Sequence, residues 1–304
     1  MAKRKKKTNN LTLGYYVVAF IDLLGQQEFL RNLTSLPGSK TPQEIEIIKK
    51  DLKNTYGAVK GMRKFFSDSF ESFSRRPTKD LSEFTVQQRK EYNSLNNNPI
   101  KIQNFSDSVV IYMPLITTDT AKLPIRGIWG IFGAAATTFM CCLAAGHPIR
   151  GAIDVGIGMD ITKNEIYGPA LSRAYTLESR IAKYPRIIIG NELINYLKQL
   201  NNQTQPDLTS RTSKQMAGYC LDCLAEDDDG YPILDYLGEN YRQCFGDVID
   251  ANVIDKAYNQ ILNFCAKFQS TNNTKLAFRY TLLRNYFENR LPLWKDLFTA
   301  EKKN

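Results

Sequence analysis

The sequence predicts an α+β protein, a ferredoxin-like β-α-β-β-α-β core followed by a mainly helical C-terminal extension. Three observations predict it. Residues 15–21, YYVVAFI, form a continuous β-branched and aromatic run of strand length that ends at Asp22. Residues 100–113 hold two short apolar stretches on either side of Ser106-Asp107-Ser108, which is hairpin chemistry. An uncharged stretch at 127–146 is then followed by a strand pattern at 150–159, RGAIDVGIGM.

The elements follow in chain order. After the first strand, residues 27–98 read as helical and polar, interrupted by SLPGSK, SRRPTK and SLNNNP. Within them, Phe66, Phe70 and Phe73 recur at helical spacing, so Asp68 of a second Ser-Asp-Ser tripeptide falls on a polar helix face. Strands are predicted at 100–105 and 108–113. Pro124 opens the uncharged helix and GHPIRG ends it. Its Gly, Ala and Thr content favours a buried core helix over a membrane span, although its length nearly meets the membrane rule. A helix at 169–183 and a short strand at 186–190 complete the core. Beyond 192 the pattern is helical, with short strands near 216–224 and 231–236.

With 304 residues and 43% hydrophobic content, the chain can bury one large core or two modest ones. The net charge of +9 is concentrated at one end, since Lys3, Arg4, Lys5, Lys6 and Lys7 supply five of those charges. Residues 1–11 therefore read as a solvated, disordered basic tail, ahead of a core domain at 12–192 and the mainly helical extension at 193–304. Neither nucleic-acid binding nor membrane association is expected on this charge pattern. No export signal is evident, so a cytoplasmic location with six reduced cysteines is expected. Cys220 and Cys223 lack the second ligand pair that a zinc site needs. The acidic run at 225–230 fails the calcium-loop spacing and reads as a surface turn.

In the predicted topology the first two strands flank the third, so Asp22 meets the hairpin that carries Asp107. A turn aspartate needs no further reason, but two carboxylates brought together repel unless protons or cations neutralise them. A divalent metal pair suits such a site. It prefers oxygen ligands, can lower the pKa of an attacking hydroxyl and can neutralise a leaving pyrophosphate.

These residues resemble a known family. FIDLLG at 20–25, FSDSVVIY at 105–112, RGAIDVGIG at 150–158 and YGPALSRAYTLESRIA at 167–182 resemble the class III nucleotidyl cyclase domain, and most of all the pyrimidine cyclases of bacterial Pycsar anti-phage systems. The resemblance covers roughly residues 12–192. It implies a homodimer with composite sites and two Mn²⁺ or Mg²⁺ ions held by Asp22, Asp107 and the Leu23 carbonyl. It further implies that Phe20 and the loop amides of Leu24 and Gly25 meet the triphosphate. The implied reaction is attack of the ribose 3′-hydroxyl on the α-phosphorus of UTP, or less favourably CTP. Cyclic UMP or cyclic CMP results as a second messenger for a separate effector protein.

The chain departs from the purine cyclases at the helix after YG. Their Asn and Arg correspond to Ser172 and Thr176, neither of which is a cation. Arg180 or Arg173, one turn away on either side, could replace the charge, or could form surface ion pairs with residues such as Glu178. The base-selecting positions correspond to Lys101 and Glu165. Lys101, Gln103 and Phe105 alternate onto one strand face, either lining a base pocket or simply bordering a loop. Tyr175, in an Ala-Tyr-x-Leu-Glu pattern typical of the Pycsar branch, is either core or a base-stacking ring. A degenerate nucleotide-binding module is the competing reading, because the missing Asn and Arg favour it while Asp22 and Asp107 oppose it.

Overall fold

A computed structural model describes residues 12–25, 41–75, 84–95, 100–117, 125–162, 164–205, 207–246 and 249–295. The basic tail, Pro124 and most of the three interrupting loops lie outside the described residues. The protein is α+β, built on one mixed eight-stranded sheet.

Strand β1 (Thr12–Leu23) is central, pairing antiparallel with β3 (Ser108–Thr117) on one side and β4 (Ile149–Thr162) on the other. β2 (Lys101–Phe105) is the hairpin partner of β3. Beyond β4 stand β6 (Ile187–Ile189), parallel to it, then β8 (Pro232–Leu234) and β7 (Leu224–Glu226). The short β5 (Glu165–Tyr167) folds back onto β4. The order β2-β3-β1-β4 sets β1 and β2 in the same direction on the two sides of β3.

β1 is buried on both faces, as its unbroken apolar run requires. Val17, Ala19 and Ile21 enter the large core, whereas Tyr16, Val18 and Phe20 enter a smaller cluster on the opposite face. The large core is closed by α1 (Pro42–Arg75), α3 (Ile125–Ala144) and helices of the C-terminal region. α2 (Val86–Leu95) is a short polar helix. Phe66, Phe70 and Phe73 of α1 are all buried, and Asp68 sits outside them in an ion pair with Lys64 at 2.5 Å. The apolar segment Arg126–Ala144 has the length and hydropathy of a membrane span, but 83% of its apolar window is buried within the protein. It is a core helix.

The second face of the sheet carries α4 (Pro169–Thr176), which continues into a π-helical turn, Leu177–Ile181. The C-terminal region holds α5 (Asn191–Asn201), α6 (Leu208–Asp222), α7 (Glu239–Phe245), α8 (Ala251–Ser270) and α9 (Thr274–Arg290). The strand expected at 216–224 is corrected: residues up to Asp222 are helical, Cys223 is the C-cap, and β7 starts at Leu224. Met216, Ala217, Cys220 and Cys223 are buried, a spacing of three and four that fits a helix face; short apolar runs do not distinguish the two periods. The acidic turn has more than a surface role. Asp227 and Asp229 bind buried Arg186 at 2.5 and 2.6 Å, tying the β7–β8 hairpin to the start of β6. All six cysteines are free thiols.

Candidate functional site

At the end of β1, Asp22 stands in register with Ser108 on one side and Arg150 on the other. The Ser108 hydroxyl donates to Asp22 Oδ1 at 2.7 Å, and the Leu23 amide donates to the Asp107 carbonyl at 3.2 Å. The backbone around Asp22 is thereby tied to the hairpin that carries Asp107, as the topology requires. Burial raises the pKa of Asp22. The Ser108 hydrogen bond opposes that shift, Asp107 adds to it, and Arg150 opposes it. Arg150 Nη2 lies 3.7 Å from Asp22 Oδ2, while its Nε donates to Glu178 Oε1. Glu178 is almost fully buried, which raises its pKa against the pull of Arg150.

The donor set at this strand end consists of hard carboxylate oxygens that repel one another and already attract a guanidinium. Asp22 and Asp107 are the residues here that could offer oxygen ligands to a hard divalent cation such as Mg²⁺ or Mn²⁺. Among the described residues no group of three or more His, Cys, Asp or Glu is arranged to hold a metal ion, so these carboxylates alone do not complete a coordination shell. Leu24 is not a free donor, because its amide is bonded to the Pro148 carbonyl at 2.9 Å. Gly25 follows the strand at φ +87°, a conformation that glycine adopts without strain.

Beside this corner opens a cleft of about 900 Å³, lined by Phe20, Phe105, Ser108 and residues of α4. Phe20 meets the exposed Tyr175 edge to face at 5.4 Å between ring centroids. Ser172 faces the cleft, and Thr176 returns its hydroxyl to the Ser172 carbonyl at 2.8 Å. Arg173 also borders the cleft, but its guanidinium leans toward the Val155 carbonyl at 3.4 Å and Glu192 at 3.8 Å, away from Asp22. Arg180 is exposed and has no polar partner among the described residues.

The predicted base-selecting residues are brought together at the other end of β2. Lys101 pairs with Asp160, whose second oxygen accepts from Tyr112 Oη at 3.1 Å. Gln103 Oε1 accepts from the Ile166 amide at 3.2 Å, next to Glu165 in β5. Lys101 and Phe105 are four strand steps apart, about 13 Å, so Lys101 is remote from Asp22 and Asp107 of the same chain.

Sequence reasoning missed Glu178 and Asp160 as site residues. The signal for Glu178 was present: Ala170, Ala174, Glu178 and Ala182 recur every four residues and all four are buried, so a carboxylate interrupts a small-residue stripe. Asp160 has no such signal, because it is reached only through the β1–β4 register and the length of the Lys101 side chain. Asp154, also buried, serves the fold, since it accepts from the Leu193 amide at 3.0 Å in the first turn of α5. No protein-family model, curated protein or solved structure matches the chain.

Proposed function

We propose that the protein is a class III nucleotidyl cyclase of the pyrimidine branch, with a ferredoxin-like catalytic core. It converts UTP, or less favourably CTP, to the 3′,5′-cyclic monophosphate and pyrophosphate. The observation that carries this reading is the meeting of Asp22 and Asp107 at the end of β1, with Arg150 in register beside them. In the reaction the ribose 3′-oxygen forms a bond to the α-phosphorus and gives up its proton. The bond from that phosphorus to the bridging oxygen breaks, and pyrophosphate leaves with the electron pair.

Two Mg²⁺ or Mn²⁺ ions bound by Asp22, Asp107 and the Leu23 carbonyl would supply acidification of the 3′-hydroxyl and neutralisation of the phosphates. The chain's own residues position and screen the substrate. Glu178 fixes Arg150, leaving the rest of its guanidinium fork to face phosphate oxygens. Phe20 and Tyr175 wall the cleft. At the base end, Gln103 has committed its carbonyl to Ile166, so its amide NH₂ remains to donate to a pyrimidine O2 or O4.

The remoteness of Lys101 from the carboxylates supports a two-fold homodimer, in which one subunit supplies the metal corner and its partner the base pocket. The cyclic product would serve as a second messenger in anti-phage defence in the cytoplasm, read by a separate effector protein. Incubation with Mn²⁺ and each of ATP, GTP, CTP and UTP, followed by mass identification of the product, tests the reading. A single cyclic pyrimidine is expected. Nucleotide binding without turnover would favour the degenerate module, for which the spent Thr176 hydroxyl speaks.

A further inference from the structure

The long helix α1 reaches the hairpin that carries Asp107. Val59, Met62 and Phe66 are buried at helical spacing, and Arg63 stands at the border of that buried face. From there its Nη2 donates to the Ser106 carbonyl at 3.0 Å and to the Ser108 carbonyl at 3.3 Å. The two acceptors lie on either side of Asp107 in the chain. Among the described residues no carboxylate forms an ion pair with Arg63, so its charge serves these two carbonyls, and hydrogen bonds from a charged donor are the stronger kind. Its Nε is buried without a partner, a cost that the two bonds must offset.

The turn needs such a restraint. Phe105 pairs with Ser108, which leaves Ser106 and Asp107 as a two-residue hairpin turn. Ser106 has φ +28°, on the left-handed side where glycine is the usual first residue of such a turn. A serine held there is strained and persists only where its surroundings fix it. Ser108 passes the restraint on, because its hydroxyl donates to Asp22 at 2.7 Å while its carbonyl accepts from Arg63. One guanidinium thus steadies the backbone on both sides of Asp107 and the residue that orients Asp22.

We infer that Arg63 is a positioning residue of the carboxylate corner: from α1 it clamps the strained Ser106-Asp107 turn, so that Asp107 and, through Ser108, Asp22 are set in advance for a divalent cation. It acts through the backbone and touches neither metal nor substrate. The assignment rests on the cyclase reading.

Mn²⁺ affinity of the full chain without nucleotide, read by electron paramagnetic resonance, tests it in wild type, Arg63→Met and Arg63→Lys. Arg63→Met keeps much of the alkyl stem and no donor, and it should bind Mn²⁺ about tenfold more weakly. Arg63→Lys should recover part of that loss, since its ammonium still donates. In both variants cyclic product should fall at low Mn²⁺ and return as Mn²⁺ is raised. A helix that merely props the fold would instead lower the melting temperature and leave Mn²⁺ affinity, measured well below it, unchanged. If Arg63→Met does not fold, Arg63→Lys against wild type decides alone. Equal Mn²⁺ affinity in wild type and the folded variants would overturn the assignment and leave the cyclase reading standing; no Mn²⁺ binding by the wild type would also overturn it. Mn²⁺ binding that depends on Arg63 in a protein that forms no cyclic product would keep the assignment and remove the cyclase reading.

Discussion

Glu178 and Asp22 share one guanidinium, and that sharing sets what each substitution does. Glu178→Ala strips Arg150 of its buried counter-ion, so unfolding free energy should fall by about 3 kcal/mol, measured by urea denaturation, and turnover should fall with it. Asp22→Asn and Asp107→Asn should instead abolish cyclic product while leaving the circular dichroism spectrum unchanged. Full activity in either variant would reject the metal assignment. The two aspartates were legible because each breaks an apolar strand pattern at a point that the topology brings together. The partners of Arg150 were not legible, since they depend on cross-strand register and on the inward turn of Glu178. The choice between Arg173 and Arg180 stayed open for a similar reason: helix spacing places both near the site, but only tertiary contacts show Arg173 leaning toward Val155 and Glu192.

At the scale of elements, α3 is held to its neighbours by small residues facing large rings. A methyl group added at Gly133 would come within 2.7 Å of the Phe73 ring and 2.8 Å of Phe245. Gly133→Ala should therefore destabilise the fold by about 1–3 kcal/mol, lowering the denaturation midpoint; an unchanged midpoint would mean that α1 shifts freely on α3. The phenylalanine stripe of α1 and the apolar run of α3 could both be read from the sequence because each is long enough to show several turns. The segment at 216–224 could not, since its apolar run is short enough to fit either period until packing decides. β5 gave no signal in three residues, and its existence depends on the backbone returning along β4.

For the whole molecule, the separation of the base cluster from the carboxylates makes a prediction that neither cluster makes alone. Asp22→Asn and Lys101→Met are each expected to be inactive as homodimers. Mixed and allowed to exchange subunits, they should recover about a quarter of wild-type turnover, because each heterodimer assembles one intact site. Absence of recovery, with exchange confirmed by mass, would place both clusters in service of one subunit's site. The β2-β3-β1-β4 order was legible from element sequence alone, whereas the extension of the sheet through β8 and β7 was not, because pairing between such short strands is written in no local pattern.

That extension also explains why the sheet stops growing. β6 is three consecutive isoleucines, and β8 covers its free side through the pairing of Ile188 with Ile233. The rim passes to β7, only three residues long and followed by an aspartate-rich turn, which gives an incoming strand little to pair with. A chain ended after residue 192 would bare the isoleucine edge as a template for self-assembly, and it should pellet on centrifugation where the full chain stays in the supernatant. On these terms the C-terminal third is a guard against polymerisation.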